Sequence, residues 1–217
     1  SIPSTKELKT RAFDFFATQN RAVTLQDFEA ISYAMPPKFG SIKRVKVVQD
    51  PDSFKRNLNM YILAESRNGY LTEANSTLKE NLKLWLNNYK MIHDTVDILD
   101  GKIVNFGIEF HAVANPQFNK YEVLAKAQTM IAAKFSQPLF MGESVYITDI
   151  ISSLNKEIEG IIDVKSVKIV SRSSAAYSRT TFDFDAQLSA DGRMLMSPDN
   201  VCMELKYPDA DIKGTLE

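Results

Sequence analysis

His93, Asp94 and Asp97 place an imidazole and two carboxylates within one short stretch. Such a set can hold a divalent metal or pass a proton, as a metal-dependent hydrolase would require. Asp183 and Asp185 are a second candidate. Spaced two apart on a strand they share a face, and paired carboxylates can do acid–base work or bind a cation. Each set has a plainer reading. The first sits just past a helix end, where polar residues are expected for solvation alone. The second falls opposite Phe182, Phe184 and Ala186, as the wet side of a sheet would. His111 is the only other histidine, on the mixed face of a long strand.

Other chemistries lack their residues. No G-x-S-x-G elbow surrounds a serine, and neither a P-loop nor a G-x-G-x-x-G turn is present; with eight glycines, a phosphate-cradling loop has little material. Cys202 stands alone, so no intrachain disulfide forms and a reducing compartment suits the chain. No cofactor and no metal are expected, and the chain is read as a non-enzyme. Lys43, Arg44 and Lys46, with Lys38, Lys55 and Arg56 nearby, would be the basic strip of a nucleic-acid-binding module. The plainer reading is an edge strand protected by charge. Lys and Arg total 26 against 27 Asp and Glu, a balance that speaks against a dedicated nucleic-acid binder. The opening residues lack the apolar stretch of a secretory leader, and no segment is apolar for long enough to suggest a membrane helix.

Surfaces are then the expected means of action. The candidate protein-contact residues are His111, Arg172, Tyr177, Arg179, Met194 and Met196. Methionine suits adaptable contact surfaces as well as irregular cores. The segment Arg172–Thr180 (RSSAAYSRT) carries one large apolar side chain, Tyr177, and its composition predicts a loop that is mobile until a neighbour orders it.

The elements positioning these residues alternate between helix and strand periods. A helix over 3–18 should bury Leu8, Ala12, Phe15 and Phe16. Thr24 and Asp27 have the spacing of a capping box, Val23 and Phe28 that of a hydrophobic staple, and Pro36-Pro37 stops the helix they open. Strands follow over 42–48 and 58–64, separated by a polar loop. Asn75 or Ser76 opens a helix whose stripe is Leu78, Leu82, Trp85, Leu86 and Tyr89.

Asp100-Gly101 turns into a strand over 102–113, with Val104, Phe106, Ile108, Phe110 and Ala112 on its core face. A helix over 121–135 comes next, then a shorter one capped by Thr148 and ended at Gly160. The strand over 161–170 slips in parity near Ser166, the mark of a bulge. A hairpin is predicted from Phe182 to Met196, turning at Asp191-Gly192, and a last strand over 201–205. The fold class is α+β: small mixed sheets flanked by helices, ααββα followed by βααβ and a C-terminal β-hairpin. Two subdomains are expected, 1–97 and 98–217.

Several segments, taken in order, resemble one family. RAVTLQDFEAI (Arg21–Ile31) is similar to the R-x-V-T-x-x-D-[FY]-E helix start of the baseplate J-like family of contractile phage tails. SIKRVKVVQDP, the helix ending LKLWLNNYK and the strand KIVNFGIEFHAV follow in that family's order. PLFMGESVYITDIISSLNKEIEGIIDVKSVKIV resembles its closing helix-turn-strand element. The likeness runs from about Arg21 to Val170, and is greatest to the inner-ring wedge subunits of T-even phages. It implies a structural virion protein, the C-terminal portion of a longer subunit. Such a subunit is assembled in the host cytoplasm and carries no catalytic residues. It pairs with itself as a homodimer, and with other wedge and hub-proximal tail proteins, to form a ring. Neither nucleic acid nor membrane is an implied partner.

Overall fold

The computed structural model describes residues 5–19, 21–50, 57–180 and 182–217. Pro3 and the basic pair Lys55 and Arg56 lie outside the described residues. The protein is α+β and divides into two compact units, Ser1–Lys102 and Ile103–Glu217.

In the first unit, α1 (Thr5–Ala17) and α2 (Leu25–Tyr33) precede a single 3-10 turn, Pro37–Phe39. Then come β1 (Ile42–Gln49), β2 (Asn57–Glu65), β3 (Leu71–Thr72), α3 (Ser76–Leu86) and β4 (Thr95–Asp100). The capping box forms: Asp27 N–H donates to Thr24 Oγ1 at 3.2 Å, and Thr24 N–H donates to Asp27 Oδ2 at 2.8 Å. Asn75 caps α3 by accepting from Leu78 N–H at 2.8 Å. β2 is central, antiparallel to β1 and β3 and parallel to β4. Phe28 and Ile31 of α2 and Leu78, Leu82 and Leu86 of α3 meet Val45, Val47, Met60 and Ile62 of the sheet in one buried cluster.

Two expectations are corrected here, and one strand is new: β4 pairs in parallel register with β2 and carries the first sheet to Asp100. Val23 stays mostly exposed, in contrast to the half of a staple expected of it. α1 buries no residue fully, and Leu8, Ala12 and Phe16 of its expected core stripe are exposed. The helix is instead held by its polar side. Glu7 sits between Arg44, at 3.1 Å, and Arg11, at 2.6 Å, and the Arg11 guanidinium lies 4.0 Å over the Tyr33 ring.

In the second unit the central strand is β5 (Lys102–Ala114). After it come α4 (Lys120–Lys134), β6 (Val145–Tyr146), α5 (Ile147–Glu157), β7 (Ile161–Ser171), α6 (Phe184–Gln187), β8 (Met194–Leu195), β9 (Val201–Glu204), α7 (Pro208–Asp211) and β10 (Ile212–Leu216). β7 pairs antiparallel along one side of β5; β10, in parallel, and β9 pair with it as well. The predicted core face of β5 is buried throughout, and Val123, Ala127 and Ile131 of α4 and Ile150 and Leu154 of α5 pack in the same cluster. The β5–β7 register slips between His111 and Ala112, opposite Ser166 and Val164, which puts a bulge at Lys165. Gly160 takes φ +102° after α5, and a Cβ there would stand 2.8 Å from Val123 Cγ2, so both backbone and space call for glycine.

Thr148 does not cap α5, which begins at Ile147 without a side-chain cap. The hairpin is much reduced. Its first arm is the short helix α6, because Asp183 Oδ1 accepts from Asp185 and Ala186 N–H at 3.1 and 3.2 Å and folds the chain into a turn. What remains is a single bridge, Leu188 to Leu195, and β8 pairs with β6.

Candidate protein-contact site

The chemistry-bearing candidates are kept apart. His93 is exposed and Asp94 buried, while Asp97 lies on β4. Asp97 lines an open groove of about 370 Å³ with Lys79, Glu80 and Lys83, to which neither His93 nor Asp94 contributes. Among the described residues, no three His, Cys, Asp or Glu side chains are placed to hold a metal ion. Asp183 is a helix cap, and Asp185 lies in the turn it caps, so the two do not form a carboxylate pair on a strand.

The basic strip is corrected as well. Arg44 is 1% exposed and bound to Glu7, Lys43 is buried 3.5 Å from Glu65, and Lys46 stands 3.9 Å from Glu29. Each cation already faces a carboxylate, and two of the three are closed to a phosphate backbone.

The residues around Arg172 do come together, on the mixed face of β5. Arg172 N–H donates to Asn105 O at 3.0 Å where β7 ends. The guanidinium then lies over Gly107, with Nε 3.4 Å from Asp211 Oδ1 and Nη2 3.6 Å from Glu109 Oε1. A Cβ on Gly107 would stand 2.7 Å from both Arg172 Nε and the Asp211 carbonyl oxygen. The glycine therefore makes room for the guanidinium on the sheet.

Beyond Arg172 the chain forms a strap pinned at several points. Tyr177 Oη donates to Asp211 Oδ1 at 2.7 Å, and the ring packs edge-on to Tyr207 at 5.5 Å. Ser178 N–H donates to Asn105 Oδ1 at 2.7 Å, and Lys206 Nζ donates to Ala176 O at 2.5 Å. Asn105 in turn donates to Glu204 Oε2 at 3.2 Å. Asp211 is 1% exposed and also accepts from Tyr207 N–H at 3.0 Å. Its hydrogen bond holds the Tyr177 proton, and burial and the carboxylate charge add to the effect, so the phenol is pushed up to about 12.

The mobile loop expected from composition is thus an ordered strap. Its few apolar contacts are supplemented by hydrogen bonds from partners far away in sequence. Ser173 to Ala176 and Arg179 remain exposed along it, and His111 is exposed two residues beyond Glu109 on β5. Met194 and Met196 lie elsewhere in the same unit. Met194 pairs with Tyr146 across β8 and β6, and Met196 N–H donates to Gln187 O at 2.9 Å. Sequence reasoning missed Gly107, Asn105, Glu204, Lys206 and Asp211. Only Gly107 carried a local signal, a glycine in mid-strand, which often marks close approach of another group.

No family model and no curated protein sequence matches the chain. Among solved structures, the chain is similar to one in the six-fold symmetrised cryo-EM structure of the anti-feeding prophage (AFP) baseplate. The TM-score is 0.49 at 12% identity, over 94% of this chain and 42% of that one. The chain therefore spans less than half the length of the solved chain it matches, and a likeness at this level carries no functional weight.

Proposed function

We propose that this chain is a structural part of a contractile-tail baseplate wedge. It associates with itself, as a homodimer, and with other wedge and hub-proximal proteins to build the inner ring. It belongs to the virion, is assembled in the host cytoplasm and performs no catalysis. The observation that carries this reading is the order of segments that resemble the baseplate J-like family, from Arg21 to Val170. The second unit's strap adds a physical rationale. A surface segment held rigid by buried polar partners is preorganised, so a neighbour meets it without first bearing the cost of ordering it.

The test is co-expression of the chain with each tail protein of the same phage, followed by affinity capture and mass measurement. A stoichiometric complex with at least one baseplate protein is expected. Failure to form one with any of them, from a folded chain, would overturn the proposal.

A further inference from the structure

The sheet of the second unit has a covered face and an open one. Ile108 and Phe110 of β5 are buried in the cluster that holds α4 and α5. Glu109 and His111 alternate with them and point the other way, and the strap is pinned at one end of that side, over Asn105 and Gly107. Register fills the rest in rows. Glu109 stands opposite Lys168 of β7 and Lys213 of β10, and His111 stands opposite Ser166 and Thr215. Directly opposed residues share a face, so Lys168, Glu109 and Lys213 form one row and Ser166, His111 and Thr215 the next. Lys168, Lys213, His111 and Thr215 are exposed.

A carboxylate between two lysines ordinarily pairs with them across the strands. Here Glu109 is turned to Arg172, at 3.6 Å. Among the described residues, neither lysine has a carboxylate oxygen within 4.0 Å. Two ammonium groups therefore stand uncompensated on this face, although acidic residues outnumber basic ones in the unit. Charges so placed favour recognition of a partner of opposite sign.

Two strand spacings of about 4.8 Å separate the lysines, so partner carboxylates about 10 Å apart would meet both. The imidazole and hydroxyls of the next row add hydrogen-bonding groups. A phosphate backbone suits the row poorly, because its unbroken negative charge would run over Glu109. A protein surface can instead alternate its charges to match. We infer that this face of β7, β5 and β10 docks an acidic surface of another tail protein, whose carboxylates bind Lys168 and Lys213. The inference rests on the structural role proposed above and gives that role a partner chemistry.

The test is titration calorimetry of the whole chain with the tail protein that it binds in co-expression, at about 50 and about 500 mM salt. The parent should bind more weakly at the higher salt. Lys168→Glu with Lys213→Glu should weaken binding at the lower salt at least about tenfold. Lys168→Gln with Lys213→Gln should act in the same direction without adding negative charge beside Glu109, and circular dichroism would verify both folds. Lys126→Glu with Lys156→Glu, on α4 and α5, changes net charge equally and should leave the affinity within about twofold of the parent. If both Lys168/Lys213 variants bind like the parent, or the helix variant loses as much, this face is wrong while the structural role stands. Binding of a single-stranded DNA of about 20 nucleotides that the Gln variant abolishes would assign the face to nucleic acid instead. Self-association that the Gln variant abolishes would assign it to a second copy; either result overturns the inference. A folded chain that binds no tail protein would overturn the structural role and this surface together.

Discussion

Gly107 and Asp211 show how single residues set the shape of the second unit. The strap lies where it does because β5 lacks a side chain at one point and a buried carboxylate waits there. Gly107→Ala would press a methyl group into Arg172 and the Asp211 carbonyl. It should cost about 1–3 kcal/mol, as overpacking does. Trypsin cleavage after Arg172 should become faster as the guanidinium is displaced. A variant as stable and as resistant as the parent would mean the strap is not seated on the strand. Tyr177→Phe tests the same cluster by pH. The folded-state pKa of Tyr177, about 12, lies above its ordinary 10.0. The stabilising contribution of its hydroxyl should therefore be complete below pH 10 and fade as pH rises towards 12. Denaturant titrations should show the parent more stable by about 1 kcal/mol at pH 8. That difference should shrink above pH 10; one that stays constant to pH 12 would show that the Tyr177 proton is not held by Asp211.

Among the elements, α1 depends on ions and α3 on apolar burial, so their anchors should respond differently to substitution. Arg44→Ala removes the cation that the nearly buried Glu7 faces, and should destabilise by about 3 kcal/mol because the carboxylate loses a partner in a low-dielectric site. It should also open α1 to cleavage at Lys6 and Lys9, read by limited proteolysis. Trp85 packs against the core of its unit, and its Nε1–H donates to Ile31 O at 2.9 Å, tying α3 to α2. Trp85→Ala should cost about 3 kcal/mol in equilibrium denaturation. A loss below about 1 kcal/mol, the range of surface changes, would contradict its anchoring role. These elements also show what the sequence could convey. The caps at Thr24 and Asn75 and the core face of β5 were legible because caps act over three residues and strand faces alternate by two. α1 was legible as a helix but not in its orientation, which is decided by Arg44, 37 residues away from Glu7. α6 looked like a strand from its alternating phenylalanines until the Asp183 side chain claimed the next N–H groups. β4 and β10 are six and five residues long, and parallel pairing to distant strands defines them. The contact site was legible in part for the same reason. Arg172 and Tyr177 stood out by type, but Asp211 lies 34 residues beyond Tyr177, and no local pattern joins them.

At the scale of the whole molecule, the chain holds two separate apolar clusters. Among the described residues, one is built from Ala22 to Val96 and the other from Val104 to Ile212. Each unit is about 100 residues long, enough to bury a core sufficient for folding alone. The natural division follows Lys102, because Gly101 N–H donates to Ile62 O at 3.1 Å and closes the first sheet. We therefore expect residues 1–102 and 103–217, expressed separately, each to fold and to unfold cooperatively. Circular dichroism and denaturant titration of the two fragments would measure this. The second should retain a strap that resists trypsin at Arg172, since every partner of that arginine lies within it. A fragment divided after Asp97 should be less stable than one ending at Lys102, because it loses the end of β4 and the Gly101 contact. If the 103–217 fragment remains unfolded while the full chain is stable, the two clusters are not independent cores, and the assignment of two autonomous units fails.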